Sequence, residues 1–198
     1  TEAALVAQLA AQLGAQFESR TVSVEQGANT EARAREARYS VLPLGVLTGH
    51  TADDQAETIL INLLRGSGTR GLAGMQPTSQ RPLLQLRRNE TVALCNALGI
   101  AVFNDPSNDD ERFQRNRIRH EVLPLLESLA KRDLVPVLTR QADLLRDDDD
   151  LLNELASALD PTDALAVANA PIALSRRAIR KWLTHPLVPD SATVERVL

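Results

Sequence analysis

Apolar residues recur at helical spacing along most of the chain, with polar turns between the runs. Leu5, Leu9 and Leu13 line one face of a first helix, which stops at Gly14. Residues 30–42 read as a second helix, with Arg33, Arg35 and Arg38 set among alanines. Ile59, Leu60, Leu63 and Leu64 give a third helix over about 53–64, and 87–98 gives a fourth, closed by Gly99. Residues 113–129 predict a helix with Ile118, Val122, Leu125, Leu126 and Leu129 on one face, and Pro124 must bend or restart it. From about Pro136 the pattern stays helical, and the acidic run 147–150 is expected to be solvated. A last helix, 175–183, sets Ile179, Trp182 and Leu183 beside four basic residues. Short apolar stretches at 17–24 and 102–103 predict strands, and Val46-Leu47 reads as the end of a buried one.

The strand end at Leu47 runs into Gly49-His50-Thr51-Ala52-Asp53-Asp54-Gln55-Ala56-Glu57-Thr58. A polar turn between a strand and a helix is where α/β folds place their ligands. Three readings of its carboxylates compete. Asp54 and Glu57 have capping-box spacing and would offset the positive end of the helix. His50, Asp54 and Glu57 would begin a metal site, but nothing elsewhere completes the ligand set, so no metal is assigned. In the third reading Asp54 and Glu57, one helical turn apart, hold a substrate cation.

The loop Gly66-Ser67-Gly68-Thr69-Arg70-Gly71 follows a helix instead of preceding one. It therefore sits at a negative dipole end and reads as a cap and hinge more readily than as a phosphate cradle. Arg65 and Arg70 remain within reach of an RNA backbone. In Arg115-Asn116-Arg117-Ile118-Arg119-His120, Arg115 and Arg119 share a helix face while Arg117 points away. That face is either solvated or a binder of phosphate or carboxylate.

Charge sharpens this picture. The net charge of −4 hides nine arginines against five acids between Arg65 and Arg119, a basic middle compatible with RNA. Nearly all the cations are arginine, whose rigid fork suits phosphate. Cys95 is the sole cysteine, which excludes an internal disulfide and any Cys-rich zinc site. No apolar run approaches the roughly 18–20 residues that span a bilayer, and the start does not resemble a signal peptide. A cytoplasmic protein without a membrane partner is expected.

Taken together, these segments resemble the bacterial tRNA(Ile)-lysidine synthetases. The likeness is carried by Glu31-Ala32-Arg33-Ala34-Arg35-Glu36-Ala37-Arg38-Tyr39 and by the G-H-x-x-D-D-x-x-E-T stretch from Gly49. It continues in Leu64-Arg65-Gly66-Ser67-Gly68, Arg81-Pro82-Leu83-Leu84, Asp105-Pro106-Ser107-Asn108 and Arg115-Asn116-Arg117-Ile118-Arg119. The pattern from Gly49 is shared with tRNA thiolases of the same superfamily, but those need paired cysteines, and Cys95 has no partner.

The resemblance implies an α/β fold of the N-type ATP pyrophosphatase kind, a parallel sheet with helices on both faces, over residues 1–130. A small helical tRNA-binding domain would occupy 131–198. It implies a ligase that uses ATP and Mg2+ to adenylate the wobble cytidine of an isoleucine tRNA with a CAU anticodon. The ε-amine of free lysine then displaces AMP to give lysidine. His50, Arg35 and Arg38 become catalytic candidates, with His50 on the α-phosphate. Asp54 and Glu57 become the lysine site, and Arg65, Arg70, Arg115, Arg117 and Arg119 tRNA contacts or, for some, buttresses of the site. The family allows monomers or homodimers. Its S-G-G-x-D-S pyrophosphate loop has no counterpart here, so no ATP-binding residue is assigned, and a longer parent polypeptide is expected. The alternatives are another adenylating tRNA-modifying enzyme of thiolase type and a non-catalytic RNA-binding remnant.

Overall fold

A computed structural model describes residues 2–24, 30–102, 110, 112–184 and 188–198. The chain runs α1 (Glu2–Gln12), α2 (Thr30–Ser40), α3 (Ala52–Leu64), α4 (Thr69–Leu72), α5 (Arg88–Ala97) and α6 (Gln114–Arg117). A π-helical turn (Ile118–Val122) leads into α7 (Leu123–Ala130), followed by α8 (Val135–Ser157), α9 (Ala164–Asn169), α10 (Ile172–Trp182) and α11 (Ser191–Val197).

The expected parallel sheet is absent: the described residues form helices and irregular segments, with no strand among them. Residues 17–24 are irregular and largely exposed, and Leu47, expected to be buried, is 63 % exposed. Residues 46–50 meet residues 78–81 through Thr48, whose N–H donates to Gln80 O at 2.8 Å. One such bond makes no ladder, and an extended segment without a paired neighbour does not become a strand. The expected Phe103 strand residue and the 105–108 turn lie outside the described residues.

Two apolar clusters hold the helices. Ala52, Ala56, Leu60 and Ile61 of α3 pack with Ile118, Leu123 and Val135, and Leu126, Leu134 and Leu138 close over them. Val167, Ile179 and Val194 join α9, α10 and α11 in the second cluster. The long helix α8 packs against α3, α4 and α10.

The predicted single helix over 113–129 is broken as Pro124 requires, by a widened turn. Proline has no N–H to give the carbonyl four residues back, and its ring crowds that carbonyl. The backbone N–H of Leu123 instead reaches Ile118 O, five residues back, and α7 restarts with Pro124 in its first turn. The shift in phase leaves Leu125 and Leu129 exposed, at 61 % and 72 %, where an unbroken helix had placed them inward. Half of the glycine loop is also helical: Gly66, at φ +71°, ends α3, and Thr69 starts α4. Asp149 departs from the expectation of a solvated acidic run. It is 5 % exposed because Thr69 and Arg177 satisfy its carboxylate, while Asp147, Asp148 and Asp150 are exposed.

Candidate active site

The site begins at the start of α3. Thr51 is its N-cap, and the capping box runs from Thr51 to Asp54 rather than from Asp54 to Glu57. Asp54 Oδ2 accepts from Thr51 N at 2.8 Å and from Thr51 Oγ1 at 2.9 Å. The cap therefore fixes one oxygen of Asp54 and leaves Oδ1 for other partners.

Those partners are arginines. Arg88 Nη2 donates to Asp54 Oδ1 at 3.0 Å and to Glu57 Oε1 at 3.3 Å. Arg119 grips Glu57 with Nε on Oε1 at 2.7 Å and Nη2 on Oε2 at 3.2 Å. Arg115 Nε stands 3.7 Å from Glu57 Oε2, and its Nη2 donates to Thr58 Oγ1 at 3.2 Å. Asp53 is taken by Arg87 and by the backbone N–H of Arg88 at 2.7 Å, and Arg87 reaches on to Asp133. Glu57 is 1 % exposed, so its charge is sustained by this shell of guanidinium groups.

Asp54, Glu57, Arg115 and Arg119 thus converge. Arg117 faces away and forms a surface pair with Glu121 at 3.0 Å. Arg65, at the C-terminal end of α3, and Arg70, within α4, are exposed. Arg35 lies over the Tyr39 ring, 5.0 Å from its centroid. No contact among the described residues ties Arg38 to His50, Asp54 or Glu57.

Arg87 and Arg88 are the members that the sequence reading missed. The signal was present: two cations at the N-terminus of a helix oppose its dipole, and they need acidic partners to be stable there.

His50 is half-buried before α3. Its Nδ1 lies 2.8 Å from Thr48 Oγ1, which also sits 3.2 Å from Gln80 O. A carbonyl only accepts, so the Thr48 hydroxyl donates to Gln80 and accepts from His50 Nδ1–H, leaving Nε2 with a free lone pair. Burial pushes the imidazole below its ordinary range; Asp54 opposes this, while the positive charges of Arg35, Arg115 and Arg81 add to it. At neutral pH the ring is an uncharged acceptor in a positive surrounding.

Arg81 and Arg115 each keep a buried Nε without a hydrogen-bond partner. Both arginines also act on His50 through their charge, and this positive setting suits an anion such as a phosphate group. A cleft of about 180 Å3 opens beside Thr48 and Arg81, lined also by Tyr39 and Leu42, too small by itself for a whole nucleotide. Magnesium does not fit these residues. Asp53, Asp54 and Glu57 already spend their oxygens on arginine and on the Thr51 cap, and no group of three metal-ligating side chains occurs among the described residues.

A family model described as the PP-loop domain matches residues 1–126, and the chain belongs to that family. A tRNA(Ile)-lysidine synthase of Rhodococcus erythropolis is 46 % identical over 178 residues, which is 82 % of this chain and 55 % of the relative. The enzyme of the same name from Mycobacterium bovis is 44 % identical, covering 84 % of this chain and 58 % of its own length. That of Streptomyces coelicolor is 38 % identical, covering 90 % and 57 %. The chain therefore spans a little over half the length of the curated relatives it matches. Among the described residues no helix is long and apolar enough to cross a membrane.

Proposed function

We propose that this chain provides the lysine-accepting site of an ATP-dependent tRNA(Ile)-lysidine synthase. The observation that carries this reading is the agreement of relatives from three genera, all named for that one activity, over about four-fifths or more of this chain. ATP enters as co-substrate, in keeping with membership of the PP-loop family. In the reaction, O2 of the wobble cytidine attacks the α-phosphorus of ATP and pyrophosphate leaves. The lysine ε-amine then forms a C2–N bond, AMP departs, and the amine loses its proton.

The chemistry of the cluster supports these roles. Asp54 Oδ1 and Glu57 Oε1 share one donor atom, Arg88 Nη2, so a single ammonium nitrogen would satisfy both. Arg88 has the most exposed side chain of the four arginines around the acids, at 36 %, and is the one a lysine would displace. Holding the amine there raises its local concentration at the reacting carbon. His50 Nε2, uncharged with its lone pair free, suits the proton released in the second step. Arg81, whose positive charge acts on His50, suits the adenylate phosphate. Residues 1–130 would hold the chemistry, and 131–198 would bind tRNA with help from Arg65 and Arg70. Arg117 remains a tRNA candidate on the surface, whereas Arg115 and Arg119 act as buttresses.

The test is AMP release by the intact polypeptide, with lysine and an isoleucine tRNA each omitted in turn. Release that requires both supports the reading. Release that requires the tRNA and a sulfur donor instead supports the thiolase alternative, and tRNA binding without AMP release supports the non-catalytic one. Asp54→Asn should raise the lysine KM and leave tRNA affinity intact; equal loss of both would reduce Asp54 to a capping residue.

A further inference from the structure

Segment 65–75 follows the acid-bearing helix and is held from outside by α8. Thr69 Oγ1 donates to Asp149 Oδ1 at 2.9 Å. The same carboxylate accepts from Arg177 Nη1 of α10 at 2.5 Å and from Asn153 Nδ2 at 2.9 Å, and Arg177 Nη2 donates back to Thr69 Oγ1 at 3.1 Å. One turn earlier on α8, the buried Arg146 donates from Nη2 to Ala73 O at 2.9 Å and to Met75 O at 3.4 Å. From the other side Gln55, next to Asp54 on α3, accepts Met75 N–H at 2.7 Å and donates to Met75 O at 3.0 Å. Gly74 adopts φ +64°, and a Cβ there would stand 2.7 Å from Gln55 Oε1. The two helices thus grip one short piece of backbone between them.

A buried ion pair is a poor source of stability, because desolvation consumes most of its attraction, but it fixes geometry. The geometry fixed here is that of α4, four residues long and unable to hold itself as a helix. Arg65 and Arg70, both exposed, are carried by this segment.

We propose that Thr69, Asp149 and Arg177 form a positioning joint through which the helical part of the chain, α8 and α10, sets where segment 65–75 presents Arg65 and Arg70 to an RNA phosphate backbone. The inference rests on the RNA substrate proposed above. None of the three residues touches reacting atoms; each acts through the placement of the segment.

The mildest test is Thr69→Val, which keeps the shape of the side chain and removes the hydroxyl, with Thr69→Ser as its conservative control. Two quantities are read on the intact polypeptide: amide hydrogen exchange of residues 70–75 and the Kd for an isoleucine tRNA transcript. Thr69→Val should speed exchange and weaken tRNA binding by about tenfold each, the scale of one lost hydrogen bond. The lysine KM should stay unchanged, and Thr69→Ser should behave as wild type. Asp149→Asn combined with Thr69→Val should weaken tRNA binding no further than the more damaging single change, because both cut the same link. Unchanged exchange in Thr69→Val overturns the joint, as does faster exchange with unaltered tRNA affinity. A wild type that binds tRNA but releases no AMP sinks the synthase reading alone, and the joint is still decided by the affinity ratio. A wild type that binds no tRNA overturns both.

Discussion

Arg119 closes on Glu57 with two parallel hydrogen bonds, Nε to Oε1 at 2.7 Å and Nη2 to Oε2 at 3.2 Å, from a turn 62 residues further along the chain. Glu57 is 1 % exposed, and its other guanidinium partners stand at 3.3 and 3.7 Å. Removing Arg119 therefore leaves a buried charge poorly matched. Arg119→Ala should cost roughly 3–5 kcal/mol of folding stability, and Glu57→Gln less, because a neutral amide still accepts a hydrogen bond. Denaturant midpoints at constant slope measure both. A loss under about 1 kcal/mol for Arg119→Ala would mean that the pair is solvated like a surface ion pair.

His50 has a lowered pKa, first because of burial and then because of Arg35, Arg115 and Arg81, with Asp54 opposing. The unfolded chain therefore binds this proton more readily than the folded one. Stability from this group is complete above the ordinary imidazole range and is lost as pH falls through the folded value below it. The AMP-release step should fail over that same lower interval if Nε2 takes up a proton. A 13C-detected titration of the ring locates the interval, and His50→Gln should flatten the stability curve across it. A ring that titrates at or above its ordinary value would contradict the buried, positive setting.

Thr51→Val removes the side-chain half of the α3 cap, and with it the Oγ1 bond that orients Asp54 Oδ2. The expected cost is about 1 kcal/mol, typical of losing an N-cap hydroxyl. If Asp54 binds lysine, the lysine KM should also rise, since the carboxylate loses its fixed rotamer. A stability loss with an unchanged KM would confine Thr51 to capping.

Asp149 is pushed upward by burial, but its bonds from Arg177 and Thr69 outweigh that and hold the carboxyl below its ordinary range. Its contribution to stability is present above the ordinary carboxylate range and disappears as pH falls through the lowered value. Asp149→Asn should remove this part of the acid sensitivity and destabilise the protein at neutral pH, where Arg177 loses its counter-charge. Parallel acid-denaturation curves for the two proteins would rule out a coupled Asp149.

Helix positions were legible because periodicity is local: Ile59, Leu60 and Gly99 mark α3 and the end of α5 with no knowledge of anything distant. Strands were not. Val46-Leu47 has the composition of a buried strand, yet a strand exists only where a second extended segment pairs with it, and Thr48 finds a single carbonyl at Gln80. The candidate site was half legible. The helical spacing of Asp54 with Glu57, and of Arg115 with Arg119, put each pair on one face, whereas the meeting of the two pairs is a tertiary event. Burial of Asp149 had no local signature at all, since its partners lie 80 and 28 residues away in sequence.

In a straight α-helix, residues five apart point about 140° away from each other. The widened turn cancels that angle, so Ile118 and Leu123, at 1 % and 8 % exposure, enter the same apolar cluster. Residues on either side of the turn are consequently read in different helical frames. Deleting one residue from 118–122 would leave two halves that no longer agree on which way is inward, and either the leucine or the arginine that holds Glu57 would be turned out.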